Sequence, residues 1–73
     1  MQPPYEILFA LLTDTERSCK AVRDQVLGTR NHLVRDMPVA AAFAAHYAQV
    51  ACGTLVSKLA QLINALESRE ENQ

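Results

Sequence analysis

The apolar positions of this chain fall into two long helical series separated by one break. In the first, Leu8, Leu12, Thr15, Cys19, Val22, Val26, Thr29 and Leu33 alternate at spacings of four and three. Two positions in seven facing one neighbour is the pattern of a heptad seam. It predicts a helix over about residues 14–36, with Val26 and Leu33 inside the contact and truncation of either loosening it. "TDTE", residues 13–16, has the capping-box form, Thr13 as N-cap and Glu16 three positions on. That places a helix start there and leaves residues 5–12, after Pro3 and Pro4, as a short helix of their own. A kinked continuation from residue 5 is the alternative. Pro38 supplies the break, because proline disfavours helical geometry at Met37 yet suits a first turn. A turn at 37–38 then leads into a second helix over about 39–68, with a frayed tail at 69–73. So short a connection folds the helices back antiparallel. The expected class is all-α: a helical hairpin of two long helices in a single domain.

The second series is too apolar for one neighbour. No charged side chain occurs from Pro38 to Ser57, and the segment is rich in alanine. Alanine favours helix and lets backbones approach closely, so Ala40, Ala44, Ala48 and Ala51 are expected against the first helix. Phe43, Tyr47 and Val50 form a separate stripe, and Leu55, Leu59 and Leu62 lie on the wide apolar face of the C-terminal half. A two-helix hairpin has one internal contact line, so part of this surface is left over. Contiguous exposed apolar surface marks an interface. Phe43, Tyr47, Val50, Leu55, Leu59 and Leu62 are the candidate partner-binding positions, although periodicity alone does not settle which arc faces inward. A three-helix fold, with residues 5–12 covering the surplus, is the competing reading.

Composition narrows the function classes. Seven Lys and Arg against eight Asp and Glu give a net charge of −1, which offers no field for a phosphate backbone; nucleic-acid binding is a poor reading. "YEILFALL" is short, carries Glu6 and lacks a basic start, so it is read neither as a secretory signal nor as a membrane span. The expected location is cytoplasmic, without membrane insertion. Cys19 and Cys52 lack metal or redox-pair spacing and read as small apolar residues. His32 reads as a surface residue and His46 as half-buried, with no carboxylate or cysteine at ligand spacing. Gly28 and Gly53 are isolated within helical patterns and form no phosphate loop. Neither a catalytic group nor a cofactor or metal is predicted.

Several segments nevertheless resemble a known group. "AVRDQV" (Ala21 to Val26), "LVRDM" (Leu33 to Met37) before the break, then Phe43, Ala48 and "LAQLINAL" (Leu59 to Leu66) resemble the YscE/PscE/SsaE-type co-chaperones of type III secretion needle proteins. The likeness covers roughly residues 6–66. It implies a partner built of TPR-like repeats and, in a ternary complex, a needle subunit kept monomeric in the cytoplasm before export. Helix-in-groove burial would carry that mechanism. Self-association of the free protein stays open, as do two other readings: a homodimeric anti-activator masking a transcription factor, and a small RNA-binding bundle.

Overall fold

The computed structural model describes residues 5–71, with side chains placed for residues 5–68. Helix α1 spans Tyr5–Val34 and helix α2 spans Pro38–Glu71. They pack along their whole length as an antiparallel hairpin, with no strand among the described residues. The molecule is a slab of 55 × 16 × 11 Å. The expected helix start at Pro3 and Pro4 lies outside the described residues, as do residues 72 and 73 of the expected tail. Helix α2 itself continues to Glu71, beyond the predicted end at 68.

The expected capping box does not form. Thr13 and Asp14 lie inside one unbroken α1 that runs from Tyr5 through "TDTE", so residues 5–12 are its first turns and no separate helix. Tertiary burial explains this. Leu8 is buried and Leu11 half-buried, and continuing the helix keeps both against α2. The polar groups do not stop it either, since the Thr15 hydroxyl donates to the Leu11 carbonyl one turn back (2.8 Å), a bond that local helix geometry always offers.

The turn is tighter than a proline break alone requires. Asp36 takes a left-handed conformation, φ 56°. The Asp36 N–H donates to the Leu33 carbonyl (3.0 Å), and the Met37 N–H to the His32 carbonyl (2.8 Å). Together these make a Schellman cap that satisfies the last carbonyls of α1. Pro38 opens α2, where a missing N–H costs nothing, and the Met37 carbonyl accepts from Ala41 (3.0 Å).

The contact line departs from the predicted one. On α1 it runs Leu8, Leu11, Thr15, Ser18, Val22, Gln25, Thr29, His32; on α2, Ala41, Ala44, Ala48, Ala51, Leu55, Lys58, Leu62, Ala65. Both alternate three and four without a slip. Leu8, Thr15, Val22 and Thr29 are where the sequence put them. Leu12, Cys19, Val26 and Leu33 are not: Leu33 is 59% exposed and Val26 54%. Small partners explain the rotation. Alanines on α2 let α1 come close with its threonines and Ser18 inward. The Thr29 hydroxyl is satisfied by the Gln25 carbonyl (3.0 Å), as Thr15 is by Leu11. The two histidines exchange their expected roles: His32 is on the contact line, its Nδ1 shut from solvent without a hydrogen-bond partner, and His46 is exposed on the far side of α2.

Candidate interaction surfaces

Only Leu8, Thr15, Ala41, Ala44 and Ala48 are buried among the described residues, and no side chain is wholly enclosed. Four of those five are alanine or threonine, so the hairpin removes little large apolar surface from water. Chains of this size are marginal when they have only such a core. What remains outside is organised by the heptad into two broad faces, one on each side of the contact line.

The first face is continuous and uncharged along its centre. Tyr5, Leu12, Cys19, Val26 and Leu33 recur every seven residues on α1, and Ala45, Cys52, Leu59 and Leu66 do so on α2. Two shallow grooves lie along it. The groove near the turn is lined by Val26, Thr29, Arg30, Leu33, Val34, Ala45 and Ala48. At the opposite end Tyr5, Leu8, Phe9, Leu12, Leu62 and Leu66 line another. The outer edges of this face differ: Phe9, Glu16, Arg23 and Arg30 on α1, and Ala42, Gln49, Val56 and Ile63 on α2.

The second face is mixed. Its heptad positions are Ile7, Asp14, Ala21, Gly28 and Arg35 on α1, with Ala40, Tyr47, Thr54 and Gln61 on α2. Lys58 leans from the contact line towards this side, carrying its ammonium to 2.6 Å from Asp14. The stem stays packed while the charged head reaches water and its partner. The Lys58 hydrogen bond, then its charge, holds the Asp14 carboxyl below its ordinary range, with a smaller contribution from Arg17 and against slight desolvation. The Lys20–Asp24 pair, by contrast, is exposed within one helix at 3.4 Å and contributes little.

The six candidate positions therefore do not share a surface. Phe43, Tyr47 and Val50 are together on the flank of the second face, 62%, 62% and 70% exposed. Leu55 and Leu62 are half-buried on the contact line against α1. Leu59 belongs to the first face. The residues missed by periodicity are Tyr5, Leu12, Cys19, Val26 and Leu33 as an outward stripe. The signal was present in their strict seven-residue recurrence, but a four-three seam drawn through them looked equally good because Ser18, Gln25 and His32 are polar.

No group of three His, Cys, Asp or Glu able to hold a metal ion occurs among the described residues. Both cysteines are free thiols and exposed. The Pro38–Ser68 part of α2 has the length and composition of a membrane span, with a mean hydropathy of 1.4 in its best window. Crossing a bilayer would strip α1 from α2 and part Asp14 from Lys58. Comparison of the sequence with protein-family models, with curated proteins and with solved structures finds no match.

Proposed function

We propose that this protein is a non-catalytic helical co-chaperone that docks on a larger cytoplasmic chaperone of TPR-like repeats. In this role it stabilises that chaperone and helps hold a type III secretion needle subunit monomeric before export. The observation that carries the reading is the exposed aromatic flank of α2. Phe43, Tyr47 and Val50 stand on a helix whose inward side is alanine, so the large side chains have been kept out of the hairpin's own contact. A helical-repeat groove fits such a stripe, since it reads apolar anchors at spacings of three and four, and aromatic anchors dominate such interfaces. Beside the stripe, the same flank of α1 presents the small Ala21 and Gly28 at the corresponding level, with Asp24 and Asn31 at its outer edge, leaving room for a partner helix to approach. The resemblance to the needle co-chaperones supplies the identity of the partner.

The test is co-expression with the TPR-like chaperone of the same secretion operon. The expected result is a complex that co-purifies and a chaperone that is soluble only in company. Phe43→Asp and Tyr47→Asp should abolish retention while far-ultraviolet circular dichroism of the free variant stays helical. Full unfolding of either variant would place these rings in the core and refute the assignment. No retention of the wild-type protein by any such chaperone would refute the function.

A further inference from the structure

We infer that the first face is the site for a second copy of this chain, seated with its turn at the opposite end so that α1 lies along α1 and α2 along α2. The footprint is sufficient. The broad side of the slab measures 55 × 16 Å, roughly 900 Å², against the ~800 Å² per partner of a standard stable interface. Its centre line carries no charge, which is what the buried middle of a homodimer needs. A twofold axis also requires the surface to complement itself.

The edges decide the orientation. On α1 the charged edge residues Glu16 and Arg23 stand three and four residues either side of Cys19, which lies at the midpoint of Tyr5–Val34. A twofold axis at the level of Cys19 brings Glu16 of each copy opposite Arg23 of the other, two reciprocal ion pairs from one symmetry operation. The same operation sets Arg30 of each copy opposite Phe9 of the other, a cation over an aromatic ring. On α2 the edge is uncharged, and the same operation sets Val56, 66% exposed, opposite Gln49 and Ile63, 49% exposed, opposite Ala42. The other twofold arrangement, with turns at the same end, lays α1 over α2. At the levels fixed by the Asp14–Lys58 contact it sets Glu16 against Val56 and Arg23 against Gln49, leaving both without an opposite charge. Complementarity therefore selects the opposed arrangement.

The inference stands apart from the co-chaperone reading, which uses the other face; loss of the dimer would leave the chaperone pull-down intact, and the reverse. The full chain and two single-cysteine variants test it. Sedimentation equilibrium of the wild type should give twice the monomer mass. Treatment with diamide, which takes up the two hydrogens lost by a thiol pair, should link the Cys52→Ser protein through Cys19 into a covalent dimer. The Cys19→Ser protein should link as well, because Cys52 stands across the slab at nearly the level of Cys19 and so also lies close to the axis. Glu16→Arg and Arg23→Glu should each weaken self-association several-fold, and the double swap should restore it, with helicity by circular dichroism unchanged throughout. A monomer at every concentration overturns the proposal. So does a dimer linked only when both cysteines are present, the signature of α1 over α2, and so does a double swap no tighter than the single ones.

Discussion

Gly28 and Gly53 offer the cleanest quantitative test of the hairpin as described. Both lie inside helices, neither has positive φ, and a Cβ built on either meets nothing within 4 Å. Nothing in the free molecule therefore requires glycine at these positions. The cost of glycine in a helix interior, about 0.8–1.0 kcal/mol relative to alanine, should be recovered in full on replacement. The two sites lie on different helices and share no neighbour, so the gains should add, giving about 2 kcal/mol for the double variant. At ~4–8 °C per kcal/mol for a domain of this size, Gly28→Ala/Gly53→Ala should melt about 8–16 °C higher. The assay is thermal and urea unfolding followed at 222 nm, at one fixed protein concentration because association shifts the midpoint. A neutral or lowered midpoint for either single variant would mean that a second backbone packs against that glycine, and the open geometry would be wrong. Gly28 is informative twice over. It shares the flank of Phe43 and Tyr47, so Gly28→Ala should stabilise the free protein while weakening chaperone capture, whereas Gly53→Ala should leave capture alone.

Leu8→Ala should cost about 2–4 kcal/mol, the range for a buried leucine. Leu33→Ala should cost the monomer less than about 1.5 kcal/mol, since over half of that side chain is already in water; urea titration compares them, and equal losses would restore the seam read from sequence. Asp36→Gly should raise stability by up to about 1 kcal/mol, because glycine adopts the left-handed cap without a Cβ penalty; a loss by thermal melting would show that the cap depends on the aspartate side chain. The Asp14 carboxyl titrates lower folded than unfolded. Its contribution to stability is therefore present above the ordinary carboxylate range and is lost as pH falls through the depressed folded value. Urea midpoints should fall on acidification through that window, and Asp14→Asn should flatten the dependence; an unchanged slope in the variant would assign the acid sensitivity to other groups.

The hairpin was legible because its signals agree. Pro38 stops one helix and starts the next, and alanine at every three or four positions marks the inward side of α2, with Ala44, Ala48 and Ala51 on it as expected. The rotation of α1 was not legible. Its most apolar seven-residue series faces out and a more polar one faces in. Pattern reading assigns the greasier stripe to the core, whereas here the alanines of α2 favour small neighbours and threonine hydroxyls find carbonyls in their own helix. Thr13 and Glu16 misled for a related reason: a capping signal is worth about 1 kcal/mol, less than burying Leu8 and Leu11. The Asp14–Lys58 pair joins residues 44 positions apart in sequence, beyond the reach of any local rule. Phe43, Tyr47 and Val50 were read as a stripe apart from the alanines, and that is how they stand. Leu55 and Leu62 were placed beside them because the apolar arc of α2 is too wide for periodicity to divide.

An inner row of near-identical methyl groups is smooth, and a smooth row does not say where along its neighbour it should stop. Near the turn a heptad shift would bring Ala48 and Ala51 to where Ala41 and Ala44 sit, at small local loss of shape. Lys58 and Asp14 supply the missing mark on the ruler, because a seven-residue slide carries the ammonium to the level of Ile7 or Ala21 and leaves the carboxylate behind. The short capped turn at one end and this charged contact further along the shaft thus mark the same alignment twice.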